Sequence, residues 1–219
     1  MSYPISSTLN QNGIPLSHMN KNQEKKRALE DDSYDIPTKK CALDHAFDDL
    51  PQELFHAITT LYQPAGMRVT NAYQEKEGKD YGACRLELNE QQVVFRVAKA
   101  TPKKAGHFVT VWQRSHKGAS YVPFQTHDAL EFIVVSVSDH LNRGQFVFDR
   151  KVLIDQGIMG NQHKRGKGAF RVYAPWVKPT SPSALKTQSW QGRYFLSQNP
   201  PDLEAVRWLF KEKKSDDPG

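Results

Sequence analysis

The stretch 130–137 constrains the fold of this chain most strongly, because it is almost continuously apolar. A run of this kind is typical of a strand that is buried on both faces, near the centre of a sheet. A membrane span needs about 18 apolar residues in a row, and no stretch of the sequence approaches that length. The sequence therefore predicts a layered protein around one central strand, with no membrane partner.

Shorter runs before and after this stretch also have the pattern of strands. They alternate in polarity or are rich in β-branched residues, and Asn, Gly or Pro bounds them: residues 84–88, 93–99, 108–114, 145–148 and 170–173. The connections at 89–90 and 103–106 indicate antiparallel hairpins.

Helical signals flank these strands. A helix is predicted from Asp49, as an acidic N-cap, with apolar residues at helical spacing as far as position 61. Further helices are predicted at 149–156, 183–196 and 202–210. Together these elements predict an α+β fold, a single domain with a mixed, largely antiparallel sheet flanked by helices.

Length and composition indicate one domain with polar ends. The 219 residues are 38% hydrophobic and contain no obvious repeat. Residues 1–46 read as a disordered polar tail, 47–210 as the domain and 211–219 as a frayed C-terminus. Basic clusters at 25–27 and 39–40 fit an electrostatic arm or a bipartite nuclear-localisation signal, although acidic residues between them favour a solvated tail.

The cysteines and the N-terminus indicate a cytoplasmic protein. Cys41 and Cys84 have neither the number nor the spacing of a disulfide framework or a zinc site, which favours a reducing compartment. The first 20 residues lack the basic segment and apolar core of a secretory signal. No histidine pair has metal-ligand spacing, so no metal or other cofactor is expected.

Positive charge is concentrated within the predicted domain. Residues 81–195 contain 17 Lys or Arg against 7 Asp or Glu, interleaved with aromatic residues. A basic surface with exposed rings suits nucleic acid, DNA or RNA, because phosphates attract cations and bases stack on rings. A basic composition that serves only solubility is the alternative.

Three clusters are candidates for contact with nucleic acid. In the first, aromatic and basic residues adjoin on a strand and its preceding loop: Lys99, Lys103, Lys104, Trp112 and Arg114. Trp112 in the core with Arg114 beside it is the alternative. The second is a glycine-flexed basic loop with Lys164, Arg165 and Lys167, which lacks the ending of an ATP-binding P-loop and could also be a solvated turn. The third cluster, which alternatively forms a small-molecule or protein-binding pocket, contains Arg171, Tyr173, Trp176 and Trp190.

A Mg²⁺-dependent nuclease is the alternative function. Such enzymes place an acid on one strand and an acid-x-Lys triplet on the next, so that carboxylates hold the metal ion and the lysine orients water. Asp128, then Asp149 with Lys151, follow that order, with Glu53 as a third ligand. Acid-x-Lys triplets also arise by chance, and Asp149 precedes a predicted helix, where capping accounts for it.

Four ordered blocks resemble successive motifs of the MepB-like bacterial family. They are FRVAKATPKKAGHFVTVWQR (95–114), GQFVF (144–148), GAFRVYAPW (168–176) and KTQSWQGRYFL (186–196). The resemblance covers about 47–196 and implies a compact fold similar to restriction-endonuclease-like proteins, with a role in binding nucleic acid. The family pattern favours Pro where this chain has Asp149, which weakens the nuclease hypothesis. We therefore expect a sequence-tolerant nucleic-acid-binding protein.

Overall fold

The computed structural model describes residue 47 and residues 49–114 and 119–211. All of these residues belong to one compact unit, Ala42–Gly219. The predictions for the tail at 1–46 and for the chain beyond residue 211 lie outside the described residues.

Strands provide most of the regular structure. In chain order they are β1 Val69–Gln74, β2 Cys84–Leu88, β3 Gln91–Val97, β4 Lys99–Thr101, β5 Lys104–Thr110, β6 Trp112–Gln113, β7 Val122–Pro123, β8 Phe132–Ser138, β9 Arg143–Asp149, β10 Ala169–Val172 and β11 Phe195–Ser197. The α-helices are α1 Gln52–Ala57, α2 Arg150–Asp155, α3 Pro182–Gln191 and α4 Leu203–Leu209. A π-helical segment, Ile58–Tyr62, continues α1, and short 3-10 helices lie at Lys79–Tyr81 and Gly192–Tyr194.

The main sheet has six strands in the order β1-β2-β3-β8-β9-β11. Only the β3–β8 pair among these is parallel, and every other neighbouring pair is antiparallel. Strands β4, β5 and β10 form a second sheet, and β6 pairs with β7. The predicted α+β class with a mixed, largely antiparallel sheet is confirmed, whereas the likeness to restriction-endonuclease-like proteins stays a prediction.

The apolar run 130–137 forms strand β8 inside the main sheet, as predicted. Six of the seven residues of β8 are buried, because cores lie against both faces of the sheet. Its even and odd positions separate accordingly: Phe132 and Val134 pack in the first core with α1 and α4, and Ile133 and Val135 pack in the second. The second core is closed by α2 and by inward-facing residues of β5 and β10, such as Val109 and Val172.

Helix ends follow the local sequence at some positions and tertiary contacts at others. The predicted cap Asp149 is confirmed, since its side chain accepts a hydrogen bond from Val152 N (2.8 Å). The predicted cap Asp49 is wrong: the N-cap of α1 is Pro51, with no side-chain cap. The predicted helix 183–196 is also too long, because its last residues form β11 and pair with β9, which buries Leu196. A strand position in the main sheet thus overrides the helical pattern.

No helix in the described part of the chain is long and apolar enough to cross a membrane. This finding agrees with the short apolar runs of the sequence.

Gly144 provides a test of how closely β9 and β11 pack. A Cβ atom at this position would lie 2.6 Å from the carbonyl oxygen of Leu196 and would also overlap the Phe195 ring. We expect Gly144→Ala to lower the free energy of unfolding by about 2 kcal/mol, because backbone must move to admit the methyl group. Urea unfolding followed by circular dichroism measures the change.

The matched control is Gly192→Ala. Gly192 has right-handed helical geometry, and its added Cβ would meet no atom within 4 Å. We expect a gain of about 0.5 kcal/mol there, since alanine restricts the unfolded chain. Equal effects of the two substitutions would contradict the packing described for β9 and β11.

Candidate functional site

An open cleft of about 490 Å³ lies between strands β5 and β6 and the face of the main sheet that bears the second core. We call it the Arg96 cleft. Residues that follow β1, the end of β3 and the end of β5 with β6 line it, and they include Glu75, Glu77, Arg96, Trp112 and Arg114. It combines aromatic rings with charges of both signs.

Arg96 is the buried charge at the base of this cleft, and its partner is Glu75. Glu75 N donates to Ala83 O (2.8 Å), which continues the pairing of β1 with β2 one residue beyond Gln74. Arg96 Nη2 lies 2.7 Å from Glu75 Oε2. Only 4% of the Arg96 side chain is exposed, so the carboxylate compensates a charge that has left water.

A hydrogen-bond network extends from Glu75 to Gln113 on β6 and to Asp128. Arg85 Nε donates to Glu75 Oε1 (2.9 Å), and Arg85 Nη2 donates to Gln113 Oε1 (3.2 Å). Gln113 Nε2 in turn donates to Asp128 Oδ2 (2.5 Å). Strands β2, β3 and β6 are therefore joined by polar contacts as well as by packing. Both oxygens of Glu75 are occupied by arginines.

Arg114 lies at the rim of the Arg96 cleft, between a carboxylate and a ring. Its guanidinium carbon is 3.7 Å from the centroid of the Tyr121 ring, and that centroid is 3.8 Å from the centroid of Trp112. Arg114 Nη1 donates to Glu77 Oε1 (3.0 Å). The predicted face with Trp112 and Arg114 thus lines a cleft, and Trp112 is only half-buried.

A second set of cations and rings adjoins the cleft on the outer face of the second sheet. Lys99 Nζ lies 4.6 Å from the centroid of Tyr81, which lines the Arg96 cleft. Lys99 pairs in register with Phe108, and Phe108 pairs with Arg171. The guanidinium carbon of Arg171 is 6.0 Å from the Phe108 centroid. We call this the basic aromatic surface, formed by Tyr81, Lys99, Phe108, Trp112, Arg114, Tyr121 and Arg171.

Exposed cations border this surface. Lys103 and Lys104 are exposed in the β4–β5 hairpin, and Lys164 and Arg165 are exposed in the basic loop. Lys167 differs, because its Nζ donates to the carbonyl oxygen of Gln156 (2.8 Å). All five lysines and arginines of these two segments are therefore exposed, and Lys167 also braces the loop.

The loop also meets the basic aromatic surface. Val111 N donates to Gly168 O (2.8 Å), next to Trp112. Gly166 is required within the loop itself, since a Cβ there would lie 2.5 Å from Gly160 N and from Ile158 O. Gly166 is therefore needed for close packing of the loop against the backbone of residues 158–160.

Trp176 and Trp190 are half-buried and pack against the second core instead of joining this surface. Their ring centroids lie 5.5 Å from those of Phe195 and Phe148, respectively. Tyr173 is half-buried, and its backbone N–H donates to the buried Gln191 side chain (2.9 Å). The predicted third cluster is therefore divided, with Arg171 alone on the basic aromatic surface.

The four nuclease candidates lie on different elements of the fold, and three of them have structural contacts. Asp128 accepts from Gln113, and Asp149 caps α2. Lys151 is exposed and pairs with Asp155 (2.9 Å), and Glu53 lies in the first turn of α1. Among the residues that the structure describes, no group of three or more His, Cys, Asp or Glu side chains is placed to hold a metal ion.

Sequence reasoning missed Glu75, Arg85 and Arg96. A signal for one of them was present, because Arg96 interrupts an apolar strand and a charge there needs a partner. Cys84 lies in the same strand as Arg85, and burial raises the pKa of its thiol to about 12. The Cys84 side chain is therefore an uncharged part of the core at neutral pH.

The buried pair generates a prediction about stability. Replacing Glu75 by Gln leaves Arg96 without its counter-charge, and we expect the free energy of unfolding to fall by about 3 kcal/mol. Glu90→Gln is the control, because Glu90 pairs with Arg68 (2.7 Å) where both side chains are exposed, and stability should not change. Urea titration of both variants measures the difference, and equal stabilities would refute the structural role of Glu75.

Comparison with known proteins agrees with this organisation. The MepB-like family model matches residues 75–197, more than half of the chain, from Glu75 in the cleft to the end of β11. A solved structure, described as the crystal structure of MepB, is 35% identical and has a TM-score of 0.57. That match covers 60% of this chain and 87% of the other. No curated protein matches the sequence. The chain therefore belongs to the MepB-like family.

Proposed function

We propose that this protein binds nucleic acid, DNA or RNA, through the basic aromatic surface and without strict sequence preference. One observation carries the proposal: three rings on connected strands and loops each have a cation over them, namely Tyr81 with Lys99, Tyr121 with Arg114 and Phe108 with Arg171. Bases stack on aromatic rings and guanidinium planes, and the same cations neutralise phosphates.

The surrounding charge supports a polyanionic ligand. Exposed Lys103, Lys104, Lys164 and Arg165 lie on the two segments that flank the paired rings. Their side chains reach into solvent, where condensed counterions around a nucleic acid are released on contact. Stacking supplies affinity for every base, because each base has a π-face, whereas the backbone contacts carry no sequence information.

The second sheet gives this surface a rigid support. The outer residues Phe108 and Arg171 lie on strands whose inner residues, Val109 and Val172, are completely buried in the second core. A rigid strand holds rings and cations at fixed spacing, so that less conformational entropy is lost on binding. We also propose that binding takes place in the cytoplasm, in keeping with the two cysteines and their lack of a disulfide pattern.

The proposal predicts binding that weakens with salt. We expect the full chain to bind single-stranded DNA and RNA, and to bind them more tightly than duplex DNA, because duplex bases are not free to stack on the rings. Fluorescence anisotropy at two salt concentrations measures the affinities. Binding that is absent for all three polymers, or independent of salt, would refute the proposal.

Neutralising the exposed cations tests where the bound nucleic-acid strand lies on the protein. Changing Lys104, Lys164 and Arg165 to Gln should make the slope of log affinity against log salt shallower by about two units for single strands, if each contacts one phosphate. The charge-matched control changes three exposed residues on or beside α3 to Gln: Lys178, Lys186 and Arg193. An equal loss in both variants would indicate a dependence on net charge and would locate no binding surface.

A further inference from the structure

The Arg96 cleft has the size and the polar groups of a pocket for a small ligand. Its volume of about 490 Å³ lies within the range of small-molecule sites, about 300–1,000 Å³. Tyr81 and Trp112 contribute rings to its lining, and Thr110 and Gln113 contribute polar side chains. A flat surface for a nucleic-acid backbone needs no such depth, so the cleft requires a separate explanation.

The two carboxylates of the cleft differ in how firmly they are held. Both oxygens of Glu75 accept from arginines, and its partner Arg96 is buried. Glu77 is 39% exposed, and among the described residues its side chain has Arg114 as its one hydrogen-bond or ion-pair partner. Displacing the Glu77 carboxylate leaves Arg96 paired, whereas displacing Glu75 would leave the buried Arg96 guanidinium without its counter-charge.

The ion pair of Glu77 with Arg114 is also incompletely satisfied. Glu77 Oε2 and Arg114 Nε lie 2.9 Å apart, but within the described residues neither buried atom has a hydrogen bond of acceptable geometry. The Arg114 guanidinium is held against the Tyr121 ring. A phosphate group offers acceptors in several directions, so it satisfies a fixed guanidinium more fully than this carboxylate does.

We propose that the Arg96 cleft binds one unpaired nucleotide, whose phosphate replaces the Glu77 carboxylate on Arg114 and whose base contacts the rings of Tyr81 and Trp112. The inference rests on the proposed function and adds a site to it. The basic aromatic surface binds a strand along its length, and the cleft receives one nucleotide of that strand or a free nucleoside monophosphate. Glu77 excludes uncharged ligands by occupying Arg114 until a phosphate arrives.

Calorimetric titration of the full chain with adenosine 5′-monophosphate tests the site. We expect one equivalent to bind. Adenosine lacks the phosphate and should bind at least about tenfold more weakly, because the charge-assisted hydrogen bonds from Arg114 to the phosphate are lost. Saturation by several equivalents, or equal affinity for adenosine, would overturn the inference.

The results distinguish this site from the proposed function. An oligonucleotide that binds while the monophosphate neither binds nor competes at millimolar concentration overturns the nucleotide pocket and leaves the proposed function standing. A monophosphate that binds, with a polymer that binds no more tightly, supports the pocket and contradicts the proposed function. Binding of neither ligand refutes both.

The substitution Glu77→Gln tests the exchange of carboxylate for phosphate. An amide competes less for Arg114, so we expect the monophosphate to bind about three- to tenfold more tightly to this variant. Glu90→Gln removes the carboxylate of another Arg–Glu pair, that with Arg68, and should leave the affinity unchanged. Thermal unfolding of both variants confirms that they are folded. Unchanged or weaker binding to the folded Glu77→Gln variant would overturn the role given to Glu77.

Discussion

The ion pair between Arg96 and Glu75 is the contact on which the candidate site depends. A buried guanidinium without its counter-charge is costly, so the segment after β1 must return to the end of β3. A backbone hydrogen bond from Glu75 N to Ala83 O holds that segment beside β2, and the ion pair closes at 2.7 Å. A chain of hydrogen bonds then runs from Glu75 through Arg85 and Gln113 to Asp128. These bonds hold β6 against the main sheet. The Arg96 cleft is the space enclosed by this network.

Much of the sheet could be predicted from the sequence, because its strands have strong local patterns. The apolar run 130–137 indicated β8 at the centre, and the hairpin at 89–90 is where β2 turns into β3. Strand β11 could not be predicted in this way. Its residues continue a helical pattern, and only pairing with β9 and burial of Leu196 make them a strand. Contacts between residues about 50 positions apart leave no signal in a local window.

The candidate site was only partly predictable, for a related reason. Sequence identifies tryptophans near cations but cannot distinguish a ring that lines a cleft from one that packs against a core. Trp112 and Trp176 both lie near basic residues, yet Trp112 contacts Tyr121 at the cleft whereas Trp176 packs on Phe195. Glu75 and Arg96 are 21 positions apart, and their proximity is created by the strand register. The pair therefore becomes visible only in the folded chain.

The two layers of the fold explain why cations and rings gather on one side. Both faces of the main sheet carry a core, so most side chains of its central strands are committed to packing. The second sheet covers one of those faces with Val109 and Val172, and alternation then turns Phe108 and Arg171 outward. The Arg171 guanidinium donates hydrogen bonds to Ala105 O, Gly106 O and Thr101 Oγ1, and its carbon lies 6.0 Å from the centroid of the Phe108 ring. A polyanion with flat bases offers the same two kinds of contact, which is why the outer layer of this fold suits nucleic acid.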